Sequence, residues 1–255
     1  MKNYVTKCAD VYPLFFEPGE VTEIRAYGLS GKSKAWEGFA RGAGIVYGYF
    51  DNAEAFGKCA EALDKASAPG IYFTINPVNP VLLARAANRL KAADMKTATT
   101  SDKDIVCLRW LFIDLDPRRP SGISSSDEEL KAAIKTRNKI FKYFRDKEKY
   151  TGGIPAVSGN GAHLLVRLKD LALNNGEDPS EDPNVIKTRN GLRGLAAKFD
   201  TAQVDVDKKT FNPSRICKIY GTTARKGDHT PTRPHRRSFL EPKYMEPALK
   251  DPQGG

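Results

Sequence analysis

Apolar residues fall in two kinds of pattern along the chain, short runs rich in β-branched and aromatic residues and longer stretches at helical spacing. Residues 20–28 (EVTEIRAYG) and 44–50 (GIVYGYF) read as strands, with 29–34 (LSGKSK) as a turn between them. Asp51 or Asn52 is placed to cap a helix to about Lys65, with Phe56, Cys59 and Leu63 on one face. Residues 71–76 predict a third strand. Asn79-Pro80 is a good cap and first-turn pair, predicting a helix to about Ala93 with Arg85, Asn88 and Arg89 on its polar side. This first part reads β-β-α-β-α.

A polar loop at 97–104 then leads into the stretch around which the chain is organised, 108–116 (LRWLFIDLD). As a strand it sends Leu111, Ile113 and Leu115 to one face, and Asp114 and Asp116 to the other. Two carboxylates this close repel unless a cation lies between them. An Asp-x-Asp at a strand end therefore suits a hard divalent ion. The bland reading, a strand running into an acidic turn before Pro117, is the commoner one for the motif alone.

The turn-rich loop 117–125 carries two arginines beside those carboxylates. Ser126 and Glu129 form a capping box for a helix with Leu130, Ile134, Phe141 and Phe144 at helical spacing, ending near Tyr150. Residues 154–168 (IPAVSGNGAHLLVRL) read as strand, Gly turn and strand, with Gly159-Asn160-Gly161 accepting positive φ. His163 and Arg167 then share a face, and Leu164, Val166 and Leu168 face the core. After an exposed loop at 174–184, Asp182-Pro183 opens a helix to about Phe199. A short strand (VDVD, 204–207) sets Asp205 and Asp207 on one face, and 215–220 predicts a last strand.

Composition adds one strong signal. The net charge of +10 is concentrated, because residues 208–237 hold nine Lys/Arg against the single acid Asp228. The rest of the chain has 32 basic and 30 acidic residues. Such a segment suits a polyanion, either nucleic acid or nucleotide phosphate. The interleaved Phe211, Ile216, Ile219 and Tyr220 argue that its first half is folded rather than a solvated tail. Four scattered cysteines with no C-x-x-C pair argue against a disulfide framework and a Cys-rich zinc site. His229 and His235 lack such a pair, and zinc is discounted there too. There is no apolar run of membrane-spanning length and no signal-peptide core, so a cytoplasmic location and no membrane partner are expected.

Four pieces now stand in order: Asp114-x-Asp116, Ser158-Gly-x-Gly-x-His163, Asp207, and the segment 211–227 (FNPSRICKIYGTTARKG). In this order they resemble the archaeo-eukaryotic primase superfamily, in its primase-polymerase branch from plasmids, phages and mobile elements. The resemblance covers about Glu23 to Leu240, and the ordered co-occurrence of the motifs is its specific part. It implies an α/β (α+β) catalytic core, with an N-terminal α/β unit, an RRM-like sheet unit and the active site in the cleft between them. The catalytic domain would span 1–240, with subparts of about 1–105 and 106–240, and 241–255 would be a linker or tail. In proteins that this chain resembles, a helicase or helix-bundle domain often follows such a core.

The activity implied is template-dependent nucleotidyl transfer, as a DNA primase, a DNA polymerase or both, on a single-stranded DNA template with NTP or dNTP substrates. Such chemistry uses two divalent cations about 4 Å apart, here Mg²⁺ or Mn²⁺. Asp114, Asp116 and Asp207 would be the catalytic metal ligands. Asp205 also qualifies as the third, and the family's usual offset favours Asp207. Ser158, Gly159, Gly161 and His163 would cradle the triphosphate, with Arg215 and Lys218 neutralising further charge. The bland alternatives are a satisfied structural histidine and an Arg215 that merely partners an acid. Arg225, Lys226, Arg233, Arg236 and Arg237 are placed to contact template backbone. Arg85 and Arg89 either join them or solvate a helix face. Tyr72 and Tyr220 either stack on a base or sugar or belong to the core, the commoner fate of strand tyrosines.

Two rival readings use fewer of these residues. A metal-dependent nuclease needs the carboxylates and a basic groove, but no triphosphate cradle. A replication-initiator or single-strand-binding module needs the basic segment and tolerates loss of Asp114 and Asp116, but usually stacks bases on exposed aromatics. Here most aromatics lie in patterns that read as buried.

Overall fold

The computed structural model describes residues 4–29, 44–94, 96–148, 150, 152–173 and 178–241. The expected turn at 29–34 beyond Leu29, the expected tail beyond Glu241, and residues 174–177 of the expected loop lie outside these.

Two antiparallel five-stranded sheets carry the mixed α/β fold. A one-turn helix α1 (Tyr12–Phe15) precedes β1 (Thr22–Tyr27), β2 (Ile45–Phe50), α2 (Ala53–Lys65), β3 (Gly70–Thr74) and β4 (Lys91–Ala92). Asn52 caps α2 by accepting from the Ala55 N–H, and Phe56, Ala60 and Leu63 form its buried stripe. The first sheet has the order β4-β2-β1-β3-β9, where β9 (Ile216–Lys218) belongs to the basic segment. That segment therefore returns to the N-terminal sheet, pairing Phe73 with Cys217 and Tyr72 with Lys218.

The expected helix to about Ala93 is not there. Asn79 does accept from the Val81 N–H, but only a short 3₁₀ helix, Pro80–Arg85, follows. The edge of β2 takes the next backbone groups: the Tyr49 N–H donates to the Ala86 carbonyl and the Asn88 N–H to the Tyr49 carbonyl. Asn88 adopts a positive φ of 49° as the chain turns into β4. Sheet pairing here overrides local helix signals.

The second sheet has the order β12-β6-β7-β5-β8. Its strands are β5 (Cys107–Pro117), β6 (Gly153–Val157), β7 (Ala162–Ala172), β8 (Val204–Val206) and β12 (Phe239–Leu240). Two helices, α3 (Asp127–Asp146) and α4 (Pro183–Phe199), pack on one face of it. The Ser126–Glu129 capping box holds the start of α3, which ends at Asp146 rather than near Tyr150. Asp182 caps α4 through the Asn184 N–H. Between β9 and β12, a two-stranded ladder joins β10 (Thr223–Ala224) to β11 (Arg236–Arg237).

The alternation along β5 divides the molecule. Ile113 and Leu115 join Leu164, Val166, Ala133, Ile140 and Leu192 beneath the helices. Trp110 and Phe112 project from the other face into a cluster shared with Phe15, Phe73, Leu165, Cys217 and Ile219, which ties the two sheets together. Each such buried aromatic contributes about 1.5–3 kcal/mol. Two residues past Phe112 on this same face the side chains become Asp114 and Asp116. There the shared core ends and a cleft opens.

Candidate active-site cleft

Register places Asp114 opposite His163 on β7, and Asp116 opposite Asp205 on β8. Same-face residues on adjacent strands are in side-chain contact range. His163 Nε2 lies 3.3 Å from Asp114 Oδ1. Asp207, one residue past β8, donates its N–H to the Asp114 carbonyl at 2.9 Å. The four acids 114, 116, 205 and 207 thus belong to one patch of two paired strands.

Each acid has a different partner. Burial would raise the Asp114 carboxyl, but the His163 charge and hydrogen bond, helped by Arg215 and Arg119, hold it below the usual carboxylate range. Burial depresses His163 in turn, and the adjacent Asp114 outweighs that, lifting its pKa to about 10. For Asp116, desolvation by the cleft walls and then the Asp114 charge push the pKa up. Its counter-charge is Arg119, at 3.6 Å. Asp207 Oδ2 accepts from Arg215 at 3.1 Å. Asp205 is gripped by Arg118, whose Nε and Nη2 both donate to Oδ1, at 3.0 and 2.7 Å.

The turn before β7 lies against these carboxylates. Gly159 has φ +102°, and a Cβ there would fall 2.6 Å from the Ala224 Cβ and 2.8 Å from the Arg236 carbonyl oxygen. Gly161 does not use positive φ as the sequence suggests; it is needed for space, since a Cβ would lie 2.6 Å from the Leu115 carbonyl oxygen. Ser158 Oγ accepts from the Gly161 N–H at 3.0 Å, so its hydroxyl closes the turn. Asn160 Oδ1 accepts from the Ser125 N–H, tying the turn to the start of α3.

A cavity of about 610 Å³ occupies the cleft. Asp114, Asp116, Arg119, Ser158, Asn160 and His163 line it from the second sheet and its loops; Tyr27, Tyr72 and Lys218 line it from the first. Arg215, Arg225 and Lys226 add positive charge from the C-terminal segment. Lys218 is only 5 % exposed, and its ammonium donates to the Thr223 carbonyl at 3.0 Å. Burial pulls its pKa down to about 8.

The cleft therefore gathers Asp114, Asp116, Ser158, His163, Arg215, Lys218, Arg225 and Lys226 around one space. Gly159 and Gly161 shape the adjoining turn. Asp207 is at the same strand edge but faces Arg215 and is not among the cavity-lining residues. Among the described residues no group of three or more His, Cys, Asp or Glu is arranged to hold a metal ion. The fit to a divalent ion rests instead on Asp114 and Asp116, hard oxygen donors on one wall, where desolvation and then the Asp114 charge raise Asp116.

Several arginines of the basic segment are engaged within the chain. Arg225 pairs with Asp64 at 2.6 Å, Arg233 with Glu129 at 2.8 Å and Arg236 with Asp127 at 2.6 Å. Lys226 is exposed, and Arg237 keeps 53 % of its side-chain surface while donating to the Thr6 carbonyl at 3.2 Å and lying 3.9 Å from Asp64. Tyr220, a stacking candidate by sequence, is fully buried beneath His163 and cannot stack on a base. Tyr72 does line the cleft, with the Lys218 ammonium 5.9 Å from its ring centre. His229 and His235 form a turn, the His235 N–H donating to His229 Nδ1.

Sequence reasoning left three contributors out of the site. Arg119 was legible as an arginine three residues after Asp116. Asn160 is the variable position of the Gly-x-Gly turn, and Tyr27 carries no motif, so only the packing of the first sheet brings it to the cleft.

No family model and no curated protein sequence matches the chain. Among solved structures it is similar to the polymerase domain of Mycobacterium tuberculosis ligase D in complex with DNA. Identity is 13 % and the TM-score 0.45, covering 90 % of this chain and 78 % of that one. It is also similar to the primase RepB′, at 12 % identity and a TM-score of 0.41 over 87 % of this chain and 50 % of that one. No helix among the described residues is long and apolar enough to cross a membrane.

Proposed function

We propose that this chain is a template-dependent nucleotidyltransferase, a DNA primase or DNA polymerase that joins nucleoside triphosphates to a primer 3′ end, or to each other, on single-stranded DNA. One observation carries the reading. Two adjacent carboxylates, a glycine turn and a ring of buried or half-buried cations border one cavity of about 610 Å³. A carboxylate pair alone would repel a nucleotide, and a cationic pocket alone would bind one without reacting it. Together they suit a triphosphate that must be held and turned over.

Asp114 and Asp116 would hold Mg²⁺ or Mn²⁺, with Asp207 as the third ligand on exchange of its Arg215 partner. When bound, such ions neutralise the triphosphate and activate the primer oxygen. The chain's own groups do the positioning. His163 presents Nε2 to the cleft beside Asp114. Arg215, Lys218 and Arg119 offset phosphate charge, and a phosphate beside Lys218 favours its protonated form. The two glycines let the turn pack closely on Ala224 and the Leu115 carbonyl, which sets Ser158, Asn160 and His163 on the cavity wall where a phosphate would lie. Phosphoryl transfer asks mainly for such alignment and charge compensation. Exposed Lys226, which lines the cavity, and half-exposed Arg237, which does not, suit a template backbone.

The ion pair between Asp207 and Arg215 favours the rival reading of a non-catalytic single-strand-binding module. Primer extension on a single-stranded DNA template, with all dNTPs or NTPs and Mn²⁺ or Mg²⁺, decides between them. Wild type is run beside Asp114→Ala/Asp116→Ala, with and without primer. Extension lost in the variant supports the proposal, and product without primer makes the protein a primase. Metal-dependent shortening of the strands instead indicates a nuclease. Binding by both proteins without synthesis or cleavage indicates the binding module.

A further inference from the structure

His163 is anchored from behind by two residues of the 211–227 segment, Cys217 and Tyr220. Its Nδ1 shares a 2.7 Å hydrogen bond with the Tyr220 hydroxyl. The same hydroxyl is 3.3 Å from Cys217 Sγ, which is itself 3.7 Å from Nδ1. Tyr220 and Cys217 are 0 % and 1 % exposed. Phe112 meets the imidazole edge-on, with centroids 4.8 Å apart at 87°. One ring is thus held by an aromatic edge, a hydroxyl on Nδ1 and a carboxylate on Nε2.

The origin of the two anchors matters. His163 and Asp114 belong to the second sheet, whereas Cys217 is on β9 of the first and Tyr220 follows it by three residues. The hydrogen bond therefore bridges the sheets at the floor of the cleft. A buried tyrosine hydroxyl is costly without a partner, and Phe would fill the same apolar volume without that cost. The hydroxyl is explained if its work is to hold the imidazole.

We infer that Tyr220 is a positioning residue: its hydroxyl, backed by Cys217, fixes the His163 ring so that Nε2 faces Asp114 and the cleft. The orientation of the site histidine then depends on docking of the two sheets. The consequence for substrate rests on the nucleotide-binding reading above; the positioning of the ring does not.

The test is ¹⁵N NMR of [¹⁵N]His-labelled protein, which has only three histidines to assign. His163→Gln identifies the site resonances. In Tyr220→Phe both ring nitrogens of His163 are expected to shift while those of His229 and His235 stay. Cys217→Ala, a milder change that leaves the hydroxyl, should move Nδ1 less and in the same direction. Affinity for mant-dATP should fall about 10-fold in Tyr220→Phe, the scale of one hydrogen bond to a charged group. Unchanged His163 resonances in both variants overturn the inference. Shifted resonances with unchanged mant-dATP affinity uphold it and count instead against the nucleotide-binding reading.

Discussion

Asp114 and His163 face each other across the β5–β7 register, with Nε2 3.3 Å from Oδ1 on one wall of the cleft, the imidazole buried and the carboxylate partly open to the cavity. Their attraction makes stability depend on pH in a defined window. His163 is raised from 6.5 to about 10, so its contribution is complete below pH 6.5 and is lost as pH climbs through 10. Asp114 is lowered, so its contribution is present above its ordinary value of 3.8 and is lost on acidification. Between pH 6.5 and 10 the wild type should therefore lose stability relative to Asp114→Asn, at up to about 1.4 kcal/mol per pH unit. Urea unfolding in EDTA across that range checks this. A difference between the two proteins that does not vary with pH would refute the pairing.

Asp116 is the unbalanced member of the carboxylate pair. Removing its charge should relieve repulsion with Asp114 and raise the thermal midpoint in EDTA by about 1–3 °C. Mn²⁺ should raise the midpoint of the wild type and fail to raise that of Asp116→Asn. Calorimetry of both proteins with and without Mn²⁺ reads the two effects together. A lower midpoint for Asp116→Asn in EDTA would contradict the repulsion.

The turn at 158–161 has no room for a side chain at either of its glycines. Gly159→Ala would combine a φ of +102° with a Cβ 2.6 Å from the Ala224 Cβ, and Gly161→Ala would press on the Leu115 carbonyl oxygen at the same distance. Each should destabilise by about 2–3 kcal/mol, because backbone rather than a flexible side chain must yield. Denaturant midpoints measure the loss. An Asn160→Ala control should cost less, since it removes one hydrogen bond to Ser125 and adds no clash.

The cations of the basic segment divide by partner. Arg233→Ala leaves Glu129 and the start of α3 without their ion pair and should lower stability slightly, with little change in DNA affinity. Lys226→Ala/Arg237→Ala should do the reverse, weakening single-stranded DNA binding and reducing the slope of log affinity against log salt by about 0.7 per lost phosphate contact. Fluorescence anisotropy over a salt series separates them. An unchanged slope in the double variant would remove both residues from the template path.

Periodicity and local chemistry were enough to read most strands and three long helices. The Ser126–Glu129 box, the Asn52 and Asp182 caps and the alternation along β5 are encoded within a few residues of where they act. For the same reason Asp114 and Asp116 were legible as a pair, since a strand sends alternate residues to one face whatever packs around it. The helix expected to run to about Ala93 failed because the edge of β2 offered those backbone groups a partner from another part of the chain.

Contacts across the chain were decided by tertiary structure alone. Arg225 finds Asp64, Arg233 finds Glu129 and Tyr220 finds His163 at separations of 161, 104 and 57 residues. Sequence could count the positive charges of the 208–237 segment but not distribute them. Whether a cation meets a carboxylate of its own chain or stays open to a polyanion depends on which strands pair, and β9 pairing with β3 in the first sheet is what brings Lys218 and Arg215 to the carboxylates of the second.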